Sequence, residues 1–133
     1  MNSIYGETLS DRSLHPINKD KKIDETSSFT VVNSSCGDKY VIKVREENGI
    51  IADISFSGTG CAISQASADM MADFLVGKKT SDIEEYYEKF RTVIKDGDTQ
   101  ENLGELNEFR IIAKMPMRAK CAELPWTICI ANR

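Results

Sequence analysis

Hydrophobic and polar residues alternate along the segment from Tyr40 to Phe56, which is the period of a β-strand. The alternation is interrupted at Asn48-Gly49, a dipeptide that is typical of the tight turn of a β-hairpin. A shorter β-rich run, Ser28–Val32, precedes these two segments. The pattern therefore predicts three antiparallel strands, two of which form a hairpin.

After Cys61 the spacing of the hydrophobic residues lengthens to the period of an α-helix. Four of them fall on one helical face, and Gly77 suits the C-terminal end of that helix. The residues of this face are Ile63, Ala66, Met70 and Phe74. The pattern predicts a helix that begins just beyond Cys61 and packs one side against the sheet.

Further helices are expected on both sides of this central part. One runs from about Ile4 to Leu14 and is followed by a polar connector to residue 26. A second spans about 83–94, a third spans about 102–114 and is stopped by Pro116, and a last helix begins near Lys120. Because the strands precede most of the helices, we predict an α+β fold with a three-stranded antiparallel sheet and helices packed on one face. We expect residues 1–133 to form a single domain.

Composition and charge exclude several classes of function. The chain has 133 residues, a formal net charge of −4 and no basic stripe, so a nucleic-acid partner is not expected. No apolar run approaches the roughly 20 residues that span a bilayer, and the polar N-terminus lacks the apolar core of a signal peptide. We expect a cytoplasmic protein with no membrane partner.

The four cysteines are the most chemically informative residues. In a reducing compartment they favour metal binding or thiol chemistry over disulfides, with buried, inert thiols as the alternative. Cys36 and Asp38 lie two residues apart at the start of a strand, so their side chains are expected on the same side. Cys61 and Cys121 are expected at or near helix N-termini, where the positive end of the helix dipole favours a thiolate.

These four residues make a plausible metal site. Three thiolates and one carboxylate suit a tetrahedral Zn²⁺ ion, and soft thiolates equally suit an iron–sulfur cluster. The spacing lacks the paired Cys-x-x-Cys knuckles of common zinc motifs, so residue types alone leave the metal open. Cys129 lies among Ile128, Ile130 and Ala131 and is expected to be a buried apolar thiol outside the site.

Three segments resemble the iron–sulfur assembly proteins related to IscU and to the N-terminal domain of NifU. They are "NSSCGDKY", "GTGCAISQASADMM" and "MPMRAKCAELPW". The resemblance is closest to the SufU branch. Its marks are the Ser- and Met-rich stretch from Cys61 to Met71, an extra segment from about Phe90 to Glu108, and the residues around Cys121.

The resemblance implies a function and a set of site residues. Cys36, Asp38, Cys61 and Cys121 would be the metal ligands, zinc would be the metal, and a SufS-type cysteine desulfurase would be the partner. Cys36 would accept the persulfide sulfur after a histidine of the partner replaces it on zinc. The alternative is a scaffold that holds a nascent [2Fe–2S] cluster for delivery to other iron–sulfur proteins. A purely structural zinc domain is a third hypothesis.

Several residues depart from the family pattern. Lys120 replaces a histidine that is usual in the scaffold branch, which favours sulfur relay, and Arg12 stands where a histidine is frequent. Lys120 and Arg118 either offset the negative charge of the site or face solvent. Pro125 costs roughly 3 kcal/mol inside a helix, so a helix is expected to begin or kink near it, with consequences for Cys121.

Overall fold

A computed structural model describes residues 5–131 of the chain. Its sheet contains the strands β1 (Ser27–Asn33), β2 (Asp38–Glu47) and β3 (Ile50–Thr59), all antiparallel and in the order β1-β2-β3. This confirms the predicted fold class and the hairpin at Asn48-Gly49. The predicted N-terminal helix began at Ile4, which lies outside the described residues.

The alternating residues of β2 form one buried face and one more exposed face. Tyr40, Ile42 and Val44 are buried, whereas the side chains between them are only partly covered. A β-bulge between Arg45 and Glu46 shifts the pairing with β3 just before the hairpin turn. The buried face of the sheet therefore carries the hydrophobic core, and the helices lie on it.

The helices α1 (Gly6–Leu14), α2 (Ala62–Leu75) and α3 (Ile83–Asp96) follow the sequence prediction closely. Helix α2 is central, because it contacts both α1 and β3 and also the C-terminal segments. It is buried on most of its circumference, including the polar residues Ser64, Ser67 and Asp69. Gly77 follows its end with a φ of 90°, as the sequence suggested.

The C-terminal segments differ from the prediction in two respects. The expected helix 102–114 is instead a 3₁₀ helix, Gly104–Ile112, which buries every third residue. Pro116 does not stop a helix but occupies the first position of α4 (Pro116–Glu123), where its missing amide is harmless. Cys121 is therefore in the second half of α4, and the expectation of a helix start at Cys121 was wrong.

Pro125 is accommodated by a change of helix type. Helix α4 ends at Glu123, a 3₁₀ helix covers Leu124–Thr127, and α5 (Ile128–Ala131) continues the chain. The proline thus falls in the first turn of the 3₁₀ helix and interrupts no α-helical hydrogen bond. Cys121 stays fully buried in α4, so the proline does not displace it.

The polar connector after α1 pairs with the free edge of β3 at Phe56. The amide of Asp20 donates to the carbonyl of Phe56 at 2.7 Å, and the amide of Phe56 donates to the carbonyl of Asn18 at 3.2 Å. Pairing with a sheet edge in this way satisfies backbone groups that would otherwise invite another strand. Within the described part of the chain, no helix is long and apolar enough to cross a bilayer.

Candidate metal centre

Cys36, Asp38 and Cys121 converge at one end of the sheet. Cys36 lies in the turn between β1 and β2, Asp38 is the first residue of β2, and Cys121 lies on α4. The two sulfur atoms of Cys36 and Cys121 are 3.3 Å apart. The potential ligand atoms of the three residues all lie within 4.8 Å of one another. The fold therefore brings together residues from three separate segments of the sequence.

The turn that carries Cys36 is closed by one backbone hydrogen bond, from the Cys36 amide to the carbonyl of Asn33 at 3.2 Å. Gly37 has a φ of 73°, a conformation that glycine adopts without steric cost. This left-handed residue lets the chain reverse between Cys36 and Asp38 and keeps both side chains on the same side. Cys36 is half-buried, whereas Asp38 and Cys121 are fully buried.

Cys61 borders this group but is not part of the close triad. It is the N-cap residue of α2, as expected, and its sulfur accepts a hydrogen bond from the amide of Ser64 at 3.4 Å. Its own amide donates to Asp38 Oδ1 at 2.8 Å. This hydrogen bond joins Asp38 on β2 to the start of α2 and places Cys61 next to the triad.

The Asp38 carboxylate is incompletely satisfied. Oδ1 accepts from the Cys61 amide, whereas Oδ2 is buried and has no hydrogen-bond partner among the described residues. A buried oxygen without a partner is costly, by about 1–3 kcal/mol or more for a charged group. A cation held between this oxygen and the neighbouring sulfurs would relieve that cost. The donor set of Cys36, Asp38 and Cys121 therefore fits a metal ion, because thiolates and carboxylates are both metal ligands.

The protein environment without a metal holds Cys121 as a thiol. Burial raises the pKa of Cys121, and its contacts with the Cys36 and Cys61 thiols raise this pKa further. Neighbouring anionic groups add to the effect, because a second thiolate beside Asp38 and Cys61 would be repelled. The surroundings of Cys121 therefore disfavour its thiolate unless a cation is bound beside it.

Arg118 and Lys120 differ in their position around the site. The pKa of Arg118 is raised chiefly by Tyr5 and also by Cys61 and Cys121, which places its guanidinium close to the thiols. Lys120 is exposed and lines a separate cavity with Lys95 and Glu123. Of the two cations considered from sequence, Arg118 is the one that faces the negative charge of the site.

A buried polar layer lies beneath the thiols, and sequence reasoning missed it. The hydroxyl groups of Tyr40 and Ser64 are 2.8 Å apart, and both side chains are fully buried. Gly60 packs on this layer, and a Cβ there would overlap both hydroxyls and lie 2.7 Å from Asp38 Oδ1. Burial raises the pKa of Tyr40 to about 12. We call Tyr40, Gly60 and Ser64 the floor of the site.

The remaining candidate groups lie away from the centre. Cys129 is partly buried, with its sulfur 3.9 Å from the carbonyl oxygen of Ile83, and burial raises its pKa to about 12. Its predicted character as an apolar thiol outside the ligand group is consistent with this position. His15, the single histidine of the chain, is exposed and directly follows the end of α1.

The fold and the group of thiols and carboxylate correspond to a known class of protein. The model of the NifU-like N terminal domain family matches residues 4–122. The chain therefore belongs to this family, which includes the iron–sulfur cluster assembly proteins named IscU and SufU. The resemblance noted in the three cysteine-containing segments is confirmed.

Individual relatives cover nearly the whole chain. The "Iron-sulfur cluster assembly scaffold protein IscU" of Streptococcus pyogenes serotype M1 is 31% identical, over 95% of this chain and 80% of its own length. The "Zinc-dependent sulfurtransferase SufU" of Bacillus subtilis is 29% identical, over 95% of this chain and 86% of its own length.

A solved structure shows the same architecture. It is a putative iron–sulfur cluster assembly scaffold protein for the SUF system from Fervidobacterium islandicum AW-1, with a TM-score of 0.88 and 30% identity. The match covers 96% of this chain and 95% of that chain. The three-stranded antiparallel sheet with helices on one face is therefore the fold of this family.

Proposed function

We propose that this chain is a zinc-dependent sulfur-transfer protein of iron–sulfur cluster assembly. In this proposal Cys36, Asp38, Cys61 and Cys121 hold Zn²⁺, and Cys36 accepts sulfur from a SufS-type cysteine desulfurase. The proposal rests on the convergence of Cys36, Asp38 and Cys121, on the unpartnered Asp38 oxygen and on the family. The relative from Bacillus subtilis carries a name with this activity.

The metal, when bound, would keep the cysteine sulfurs deprotonated near neutral pH and would neutralise part of their charge. Asp38 would supply the one oxygen ligand from a buried position, and Cys121 would supply a sulfur from the middle of α4. Cys61 would contribute from the N-cap of α2. The guanidinium of Arg118 lies where it would offset the remaining negative charge.

The observation that carries the assignment of the acceptor is the contrast in burial among the thiols. Cys36 is half-buried on a turn, whereas Cys121 has no exposed surface and is held on a helix. A sulfur acceptor has to meet a persulfide on another protein, so it needs both access and freedom to move. Within the triad, Cys36 is the residue that meets both requirements.

The transfer step is a nucleophilic displacement at sulfur, analogous to thiol–disulfide exchange. The Cys36 thiolate attacks the terminal sulfur of the persulfide on the desulfurase cysteine. A bond forms between Cys36 Sγ and this sulfur, the S–S bond of the desulfurase breaks, and its cysteine leaves as a thiolate that takes up a proton. No net oxidation or reduction occurs, because the sulfane sulfur moves with its oxidation state unchanged.

A scaffold for a nascent [2Fe–2S] cluster is the second candidate. It is favoured by the scaffold names of the Streptococcus pyogenes and Thermotoga maritima relatives, which cover 95% and 92% of this chain. In that case iron and sulfide are the cargo, and the same four residues would bind it. Thiolates serve as ligands in both functions, so the ligand set alone does not separate them.

The two functions are separated by an assay with a purified cysteine desulfurase and cysteine as the sulfur source. We expect the wild-type protein to stimulate alanine formation and to carry a persulfide on Cys36, detected by mass spectrometry. Cys36→Ala should remove both, whereas Cys129→Ala should keep both because Cys129 lies outside the ligand group. Full stimulation by Cys36→Ala would overturn the acceptor assignment.

Metal analysis and anaerobic reconstitution complete the comparison. We expect about one zinc per chain after anaerobic purification. A protein that instead acquires a stable coloured cluster from iron and sulfide, passes it to a second protein and leaves the desulfurase unaffected would establish the scaffold function. A protein that unfolds without zinc and affects no desulfurase would be a structural zinc domain.

A further inference from the structure

The floor of the site forms a continuous set of hydrogen bonds with Cys61. The Ser64 amide donates to Cys61 Sγ at 3.4 Å, and the Ser64 hydroxyl donates to the Cys61 carbonyl at 3.1 Å. The hydroxyls of Tyr40 and Ser64 are 2.8 Å apart and either can donate to the other, and the Cys61 thiol lies 3.7 Å from the Ser64 hydroxyl. The contacts therefore run from Tyr40 through Ser64 to the first turn of α2.

Tyr40 is firmly held at the other end of this set. Its ring is fully buried and packs edge-on against Phe56 with the ring centroids 5.8 Å apart. It follows Asp38 by two residues on β2, so both side chains lie on the same face of the strand. Through Tyr40, the strand that carries Asp38 is connected to the helix that carries Cys61.

Gly60 completes the arrangement because it fills the space between these groups. A side chain at this position would collide with both hydroxyls and with Asp38 Oδ1. Gly60 therefore lies directly against both hydroxyls and against Asp38. Two ligands from different segments are thus fixed relative to each other by neutral buried groups that are not themselves metal ligands.

We infer that Tyr40 and Ser64 are positioning residues that hold Cys61 and Asp38 in place for metal binding, while Cys36 remains the ligand that moves. This inference rests on the metal site proposed above. It assigns a role to Ser64, which contacts Cys61, and to Tyr40, which contacts Ser64, and neither residue would bind the ion. Outer partners of this kind change metal affinity by about 10–100-fold when they are removed.

The test compares two variants with matched controls. Tyr40→Phe and Ser64→Ala each remove one hydroxyl and keep the rest of the side chain. Tyr87→Phe removes a buried tyrosine hydroxyl that is hydrogen-bonded to Glu123, and Ser55→Ala removes a buried serine hydroxyl that donates to the carbonyl of Lys21. Both controls lose a hydrogen bond outside the floor of the site. Ser55→Ala reports the effect on stability, and Tyr87→Phe removes a contact of Glu123, at the end of the helix that carries Cys121, without removing a contact of a ligand.

Two measurements on the zinc- and cobalt-loaded proteins give readouts that do not depend on sulfur transfer. The first is the rate at which a coloured chelator removes zinc, and the second is the thiolate-to-cobalt charge-transfer and visible absorption of the Co²⁺ protein. We expect Tyr40→Phe and Ser64→Ala to release zinc about 10-fold faster or more and to change the Co²⁺ spectrum. Tyr87→Phe and Ser55→Ala should lower the melting temperature without either change.

A double variant tests whether the two hydroxyls act as one unit. If Tyr40 acts through Ser64, the variant with both substitutions should release zinc no faster than Ser64→Ala alone. Zinc release and Co²⁺ spectra that match the wild type in both single variants would overturn the inference, whatever their melting temperatures. If the two substitutions instead multiply their effects on the zinc-release rate in the double variant, Tyr40 does not act through Ser64.

The test of Tyr40 and Ser64 can be distinguished from the test of the proposed function. A wild-type protein that binds zinc but does not stimulate a desulfurase would refute sulfur transfer, and the zinc-release comparison would still decide the role of Tyr40 and Ser64. A wild-type protein that binds neither Zn²⁺ nor Co²⁺ would overturn both proposals.

Discussion

The two sides of the candidate metal centre are built in different ways. On the turn side, Cys36 and Gly37 lie between β1 and β2, and a Cβ added to Gly37 would meet no atom within 4 Å. On the floor side, Gly60 is enclosed by Tyr40, Ser64 and Asp38. The space beside Gly37 is therefore open, whereas the space beside Gly60 is already filled by its neighbours.

This difference matches two requirements of a sulfur relay. The acceptor thiol has to leave the site and return, so it gains from a turn with few contacts. The other ligands have to hold the metal during that time, so they gain from buried and fully packed positions. A site that was uniformly rigid would bind metal without releasing Cys36, and a uniformly loose site would lose the metal.

The largest effect is expected from a methyl group on the floor side. In Gly60→Ala the new Cβ would overlap the hydroxyls of Tyr40 and Ser64, so these groups and Asp38 would have to shift. We expect roughly 1–3 kcal/mol of destabilisation from overpacking and zinc release about 100-fold faster than in the wild type. Urea unfolding and chelator competition measure the two effects.

Gly37→Ala is the matched control on the turn side. Its Cβ would meet nothing, and only the positive φ of 73° opposes the substitution, at about 1–2 kcal/mol. We expect zinc release much closer to that of the wild type. Equal acceleration of zinc release in the two variants would show that the two sides do not differ in the way described.

Asp38→Asn separates folding from metal binding on the floor side. The metal-free protein buries an Asp38 oxygen without a partner among the described residues, whereas the amide form carries no charge. We therefore expect the metal-free variant to be at least as stable as the metal-free wild type. Its zinc affinity should fall by 10-fold or more, because a neutral amide oxygen is a poorer ligand for Zn²⁺.

The free energy of unfolding of the wild type and of Asp38→Asn, each measured with and without zinc, checks these two expectations. In the wild type, bound zinc should stabilise the fold through mass action, and in Asp38→Asn this gain should shrink or vanish. A variant that is strongly destabilised in the absence of metal would indicate that Asp38 serves the fold through its charge. That result would weaken the assignment of Asp38 as a ligand.

A smaller effect on the metal is expected from the far end of α2. Arg12 donates to Asp69 Oδ2 at 2.7 Å and also pairs with Asp73, and Asp69 is fully buried. Arg12→Gln should lower the free energy of unfolding by about 1.5–3 kcal/mol, since hydrogen bonds to a charged group are lost. Arg12→Lys should recover part of that loss.

Zinc release is the second measurement on these variants. Asp69 retains hydrogen bonds from the amides of Ile17 and Asn18, so the connector stays attached to α2. We expect release rates within about threefold of the wild type, because no ligand is touched. A large acceleration would show that the metal centre depends on the N-terminal helix as much as on its own floor.

The three strands could be predicted from the sequence alone, because alternating hydrophobic residues and an Asn-Gly turn are local signals. It also placed Cys36 and Asp38 together, since they are neighbours across one glycine. It did not reveal the floor, because Tyr40 reads as one more core residue of β2 and Ser64 as a polar residue in a helix. Only the packing of α2 on β2 brings their hydroxyls to 2.8 Å.

The C-terminal errors have a similar physical origin. A 3₁₀ helix and an α-helix bury nearly the same residues over nine positions, so the pattern did not separate them. The pattern predicts that a helix ends before Pro116, but proline is equally favourable at the first position of a helix, which it occupies in α4. The meeting of Cys121 with Cys36 could not be derived from spacing, and it entered the sequence analysis through family resemblance alone.

The smallest effect is expected at Cys129, which belongs to neither side of the centre. Burial raises the pKa of Cys129 to about 12, so this thiol is almost entirely protonated at pH 8. Iodoacetamide at pH 8 should therefore label Cys36 in the metal-free protein long before Cys129. Cys129→Ala should leave the zinc content unchanged.

The burial of Cys129 can also be tested through the pH dependence of the free energy of unfolding. Burial raises the pKa of the folded-state Cys129 thiol from 9.0, the ordinary value, to about 12. The stability that the buried neutral thiol contributes is therefore fully present below pH 9 and is lost as the pH rises towards 12. At pH 10 the wild type should lose about 1 kcal/mol relative to Cys129→Ala, compared with their difference at pH 8. Urea unfolding of both metal-free proteins at the two pH values measures this. Parallel behaviour would mean that Cys129 is more accessible than its contact with Ile83 indicates, and its labelling rate would then approach that of Cys36.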